Sequence, residues 1–258
     1  MTVSNPEHAV ERSDRWRAAV SPFDMALPEV VPAPPVDLTL VDRPWAFADA
    51  NAAGIDAHWA RETAANPALF NGKVLVALES GFGVDGTYFG VHTAVDFKAF
   101  LAWRNWGFGA GEARNIFGAA LIRPADGGFV MGRMAAHTSN PGLIYPPSGT
   151  LDMSDVDANG RIDIDASIVR ELREETGLRA ANFRRGEAWL VVETGARSCY
   201  GRVYHSALDG ATLVELIGRN IARDPDPELA EAVHVRRGMA LPDSVFLPYV
   251  RSIIETLG

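Results

Sequence analysis

The apolar and polar positions along this chain divide it into short segments of two periods. From Ile116 to Arg123 the residues suit a strand, Ala125-Asp126-Gly127-Gly128 a tight turn, and Phe129 to Met134 a partner strand, so this stretch is expected to form a β-hairpin. Lys73 to Glu79 and Thr87 to Thr93 read as two further strands, separated by the glycine-rich turn from Gly81 to Gly86. Helical spacing replaces strand spacing elsewhere. Ile55 and Trp59 lie one turn apart within a helix expected over Ala48 to Ala65, which Asn66-Pro67 would stop. Phe97 and Leu101 mark a short helix, and Ile168 and Leu172 mark another from about Asp165 to Thr176, with Asp163 or Asp165 placed to cap it. Glu187 to Thr194, Tyr200 to Ala207 and Ala232 to Arg236 complete the strands, and helices are expected at Leu213 to Ile221 and Phe246 to Leu257. Strands and helices therefore alternate, and the fold class is α/β.

Three regions follow from this pattern. Residues 1–45 include a proline-rich stretch with no helical period (Pro32, Pro34, Pro35) and are expected to run extended. Residues 46–114 form an N-terminal α/β region, and residues 115–258 carry the main domain. A chain of 258 residues, 47% hydrophobic and 22% charged, can bury a substantial core. Its net charge of −9 argues against nucleic acid as a partner, because such binding relies on Lys and Arg neutralising phosphates. The single cysteine, Cys199, cannot form an internal disulfide. The polar stretch from Met1 to Arg17 lacks an apolar signal core, and no apolar run is long enough to span a membrane, so a cytoplasmic protein is expected.

The candidate chemistry lies in Arg170-Glu171-Leu172-Arg173-Glu174-Glu175-Thr176-Gly177-Leu178. Positions three and four apart are neighbours on a helix, so Glu171, Glu174 and Glu175 are expected on one side, where their mutual repulsion calls for a cation. Oxygen-only ligands favour Mg2+ or Mn2+ over Zn2+. Gly177 stands where a helix end favours a left-handed residue.

This run resembles the tail of the Nudix box, and every fixed position of that tail is filled. Pro147-Ser148-Gly149-Thr150-Leu151-Asp152 looks like the loop that opens the box. The spacing then departs from the pattern: Gly149 and Arg170 lie seven residues further apart than in the standard box, and no Glu fills the intervening fixed position. Asp152 and Asp155 are the candidates to replace it. The resemblance implies a Nudix fold, a mixed sheet sandwiched between helices, here with an N-terminal extension. It also implies a metal-dependent hydrolase of a nucleoside diphosphate joined to another group. Glu171, Glu174 and Glu175, with the main-chain carbonyl of Ser148, would hold Mg2+ or Mn2+. Arg170 would hold the glutamates in place, and Arg123, Arg133 and Gly149 would meet the substrate. His137 is a weaker candidate for the same role, and the general base is left open among Glu193, Glu228 and Glu231.

A second resemblance, through Asn66-Pro67-Ala68-Leu69-Phe70-Asn71-Gly72 and Pro141-Gly142-Leu143-Ile144, is to Nudix enzymes that hydrolyse UDP-sugars, and implies a nucleotide sugar such as UDP-glucose. ADP-ribose or coenzyme A as substrate, and a non-catalytic nucleotide-binding regulator, remain as alternatives. The partner is thus a small nucleoside diphosphate derivative, with no membrane involved and a homodimer left open. Inside the box, Asp155, Asp157, Asn159, Gly160 and Asp163 have the spacing of a calcium loop, but Ala166 stands where that loop needs a bidentate Glu. A surface turn is the favoured reading. The aromatics Phe70, Phe82, Tyr88 and Phe89 could stack a base but are more often core at strand spacing.

Overall fold

The computed structural model describes residues 36–258 except 110 and 243, and for residue 188 the backbone alone. The prolines at 32, 34 and 35 lie outside the described residues. Just after them Val36–Leu40 forms a strand, β1. Helices α1 (Ala46–Ala50) and α2 (Ala52–Ala65) follow, then β2 (Lys73–Phe82), β3 (Tyr88–Asp96) and α3 (Phe97–Asn105). In this first sheet β3 is central, parallel to β1 and antiparallel to β2. Its outer side is covered by α2 and α3, where Ile55, Val76, Val95, Phe100 and Trp103 form one apolar cluster around Trp45.

The second sheet is mixed and seven-stranded. It is built from β4 (Asn115–Arg123), β5 (Phe129–Met134), β6 (Ile144–Tyr145), β7 (Ser148–Thr150), β8 (Arg184–Thr194), β9 (Arg197–His205) and β10 (Leu229–Val235). The expected hairpin of β4 and β5 is present only beside its turn, where Ile122 faces Val130. Beyond that point the strands part. β6 pairs with β5 and β7 pairs with β4, so the chain returning from β5 enters the opening. This splaying puts Gly149 directly opposite Gly118. On its other edge β4 runs parallel to β9, which pairs antiparallel with β8.

Three helices sandwich this sheet: α4 (Ile164–Thr176), α5 (Gly210–Ile221) and α6 (Pro248–Leu257). Alternate residues of β4 explain the layers, since Ile116, Ala120 and Ile122 pack with Ile164, Ile168 and Leu172 of α4, while Phe117, Ala119 and Leu121 pack with Tyr249, Val250 and Ile253 of α6. The α/β/α arrangement expected from the sequence is therefore present. Burying Leu172 fully makes it a strong anchor, and truncation of such a leucine costs about 2–5 kcal/mol. Leu38, Leu75 and Tyr88 of the first sheet join the same cluster as α4, and Leu75 N donates to Leu151 O at 2.8 Å. The N-terminal region thus packs directly against the loop that carries Gly149.

Candidate active site

Helix α4 is held at both ends. Asp163 Oδ1 accepts from Ala166 N at 3.0 Å, and Gly177, with φ of 71°, closes the other end. Its approach to the sheet is close because Gly118 has no side chain. A Cβ there would overlap Ile168 Cγ1 and stand 3.2 Å from Ile164 Cγ1. With Ile168 and Leu172 against β4, the neighbouring stripe of Glu171 and Glu175 faces β7. Both carboxylates are buried, at 8% and 6% exposure, whereas the Glu174 side chain is 47% exposed.

Gly149 is the contact that shapes this corner. A Cβ on it would overlap Glu171 Oε1 and Cδ and stand 2.8 Å from Oε2, so the Glu171 carboxylate lies against bare backbone. The next residue back, Ser148, donates its amide to Glu175 Oε1 at 3.2 Å. Arg170 binds the outer side of the cluster, with Nη1 2.6 Å from Glu171 Oε1 and 3.4 Å from Glu174 Oε2. Its Nη2 reaches both oxygens of Asp155, at 3.0 and 3.2 Å. Of the two acids that were candidates for the missing position, Asp155 is the one bound to Arg170. Asp152 instead caps the short 3-10 turn before it, accepting from Ser154 N at 2.7 Å.

Burial pushes the Glu171 carboxyl up to about 7 against the pull of Arg170, and the charges of Glu228, Glu174 and Asp155 add to the rise. Glu175 moves well above the usual range, first because it is buried and then because Glu171 is near. Arg170 moves up despite its burial, because Asp155 and Glu171 favour its charge. Glu175 Oε2 is buried with no hydrogen-bond partner. Two carboxylates that resist ionisation, one with an orphan oxygen, suit a divalent cation, which would supply the missing partner and the compensating charge. Among the described residues, however, no three His, Cys, Asp or Glu side chains are gathered closely enough to cage an ion by themselves. Glu174 turns outward to Arg170 and does not converge with Glu171 and Glu175 on one point.

Of the expected substrate contacts, Arg123 is not brought here, and Arg133 is engaged with other partners. Arg123 lies five residues beyond Gly118, about 17 Å along β4, with its guanidinium over the Phe129 ring. It lines a separate surface cavity with Arg184 and His205. Arg133 is committed to Glu231 at 2.5 Å and to Gly142 O at 3.2 Å. That contact gives Glu231 a cation partner at the surface. Glu193 accepts from Ser198 Oγ at 2.7 Å and Tyr88 OH at 3.3 Å, and sits 3.5 Å from Arg114, which gives it a structural task. Glu228 is different. Its charge is felt by Glu171 and Glu175, and partial desolvation together with the charge of Glu174 raises its own pKa although the residue is exposed. His137 lies 3.5 Å from Asp226 rather than on the carboxylates.

The calcium-like spacing is used internally. Asp157 Oδ1 accepts from Asn159 N and Arg161 N, at 2.8 and 2.9 Å, while Asp163 caps α4 and Asp155 holds Arg170. Leu40 N donates to Gly160 O at 2.7 Å, so the insertion is stitched to β1. Tyr88 is core, 5.0 Å from the Tyr200 ring, and Phe70 is 81% exposed.

Comparison with known proteins gives likenesses of structure alone. No family model matches the chain, and no curated protein matches its sequence. Among solved structures, a MutT protein from Methanosarcina mazei Go1 is 20% identical with a TM-score of 0.34, over 55% of this chain and 91% of that one. RenU, a Nudix hydrolase from M. smegmatis, is 16% identical with a TM-score of 0.34, over 55% and 84%. A bifunctional NMN adenylyltransferase/ADP ribose pyrophosphatase from Francisella tularensis is 17% identical with a TM-score of 0.36, over 58% of this chain and 42% of that one. Similarity this low transfers neither residues nor substrates.

One group of residues beside the site was not anticipated. A cavity of about 90 Å³ adjoins Ser148 and Gly149 and is lined by Arg104 of α3, Asn115 of β4, Tyr145 of β6 and Arg197 of β9. These positions come from four separate elements, so no local spacing marks them. Tyr145 feels the charge of Glu175, though burial is the larger cause of its raised pKa.

Proposed function

We propose that this chain is a Nudix-type hydrolase that cleaves the diphosphate of a nucleoside diphosphate joined to another group. The observation that carries this reading is the Glu171 carboxylate seated against Gly149, beside a Glu175 oxygen that is buried and unpaired. Glu171 and Glu175 would hold Mg2+ or Mn2+, with Glu174 completing the set from the rim. Such an ion neutralises the diphosphate and lowers the pKa of bound water. The remaining work falls to the chain itself. Arg170, anchored by Asp155, keeps the Glu171 side chain in its rotamer, and Gly149 leaves it the room it needs. Glu228, whose charge is felt by both Glu171 and Glu175, is the general base we assign. Gly149 and Ser148 would border the bound diphosphate.

The substrate class we infer is a nucleotide sugar such as UDP-glucose, on the similarity of residues 66–72 and 141–144 to the UDP-sugar-hydrolysing branch. Asn66 Nδ2 donates to His137 O at 2.7 Å, which ties the first of these segments to the loop leading into the second. The absence of a three-carboxylate cage among the described residues favours, as the second reading, a module that binds a nucleotide without turning it over. A Mg2+-dependent screen of nucleotide sugars, ADP-ribose and coenzyme A, with products identified by mass, separates the readings. UMP and a sugar phosphate from UDP-glucose are expected. Faster turnover of ADP-ribose or coenzyme A would overturn the substrate class, and no Mg2+-dependent turnover of any diphosphate would overturn the hydrolase.

A further inference from the structure

The cavity beside Gly149 holds two arginines without an acid. Arg104 Nη1 donates to Asn140 Oδ1 at 3.0 Å and Nη2 to Ser139 O at 3.0 Å, all neutral acceptors. Arg197 lies with its guanidinium 4.4 Å from the Phe108 ring centroid. Among the described residues neither makes a salt bridge, in a chain whose acids outnumber its Lys and Arg by nine. Burial pushes Arg104 down to about 10 and the charge of Arg197 adds to the fall, with Tyr145 and Glu62 opposing it more weakly. Asn115 lines the same cavity, is 7% exposed, and has an Oδ1 with no hydrogen-bond partner. The cavity therefore lacks an anion to sit between two guanidiniums and a donor to meet one amide oxygen.

We propose that Arg104 of the N-terminal region and Arg197 of β9 form a phosphoryl-binding subsite beside Ser148 and Gly149, taking a phosphate group that carries a neighbouring hydroxyl or N–H donor for Asn115. The part of this claim that concerns substrate rests on the hydrolase reading; the anion site itself does not. It lies between α3 and the loop at Ser148 and Gly149, both of which line it. Gly149 borders both places, with Glu171 on the α4 side of β7 and the arginines on the α6 side, so a substrate that used both would pass around this strand. The arginines are positioning residues in this scheme, and their loss should weaken binding more than turnover.

The test is a titration of the full-length protein with inorganic phosphate in EDTA, followed by calorimetry. Saturable one-to-one binding is expected, weakened roughly tenfold or more by Arg197→Gln and by Arg104→Gln, the scale of a charge-assisted hydrogen bond. Glu175→Gln should leave phosphate binding in place. Arg104 also holds the loop at Ser139 and Asn140, so Arg197→Gln, which breaks no side-chain hydrogen bond among the described residues, and Arg104→Lys, which keeps the charge, guard against a merely structural effect. Retained phosphate binding in Arg104→Lys is expected. No saturable binding, or binding untouched by Arg197→Gln, would overturn the subsite. With a Mg2+-dependent substrate in hand, KM should rise about tenfold in Arg197→Gln with kcat nearly unchanged. A loss confined to kcat would overturn the positioning role. Failure of the hydrolase reading appears separately, as absent turnover in the unmodified protein.

Discussion

Gly149→Ala is the sharpest perturbation of the proposed site, because a single methyl group meets a single carboxylate. The added Cβ would overlap Glu171 Oε1 and Cδ and stand 2.8 Å from Oε2, where ordinary contact begins at 3.4 Å. Backbone strain is not involved, since Gly149 is not among the glycines at positive φ. The neighbour that must yield is the end of a flexible side chain, so the protein should fold and its melting temperature should change little. The Glu171 carboxylate, however, must retreat by about 1 Å, which also breaks its 2.6 Å contact with Arg170. Misplacement on that scale costs on the order of 10^2 in rate. The assay is Mg2+-dependent release of nucleoside monophosphate from the best substrate found by screening. Gly177→Ala supplies the contrast: φ is 71° there and a Cβ would meet Asn220 Nδ2 at 2.6 Å, so about 1–2 kcal/mol of stability should be lost. Activity per folded molecule should remain. Parental turnover by Gly149→Ala would refute the reasoning that places Glu171 at the reacting metal.

Glu175→Gln keeps the shape of the buried side chain and removes the charge, so turnover should fall by at least about 10^2 while circular dichroism is unchanged; a parental rate would mean the metal lies elsewhere. Asp155→Asn should weaken the hold on Arg170, costing about 2 kcal/mol in urea unfolding and lowering activity, whereas Asp152→Asn should spare activity. Burial lowers His92 from 6.5 to about 4. The unfolded chain therefore takes up that proton first as pH falls, and the contribution of His92, complete above pH 6.5, should be lost between there and pH 4, amounting to about 3 kcal/mol. Unfolding curves of His92→Leu across this range should show a shallower acid decline than the parent, and identical slopes would count against the burial argument.

The box helix was legible in the sequence almost to the residue, expected from Asp165 to Thr176 and found from Ile164 to Thr176, because cap, period and terminal glycine all lie within one short segment. Strands β1, β6 and β7 were not, the first lying in the stretch expected to run extended and the other two in the connection leading into and opening the box, but most of the longer strands were legible from local pattern as well. The partners of those strands were not: β4 and β5 make a hairpin only at Ile122 and Val130, and the wedge of β6 and β7 between them depends on residues well downstream. Site membership divides along the same line. Glu171 and Glu175 could be named from helical spacing and family resemblance, since they lie one turn apart beside Ile168 and Leu172. The outward turn of Glu174 and the contact of Arg170 with Asp155, while Asp152 caps the 3-10 turn, depend on the path of the insertion. Arg123 and Arg133 were expected at the site because they are near the box in sequence, yet strand length carries the first away and Glu231 captures the second. Arg104, Asn115 and Arg197 gave no signal, because tertiary packing alone brings together a helix of the N-terminal region and two strands of the main sheet. Periodicity and capping act over a few residues and can be read in one dimension; the closure of a cavity is decided by contacts between segments far apart in the chain.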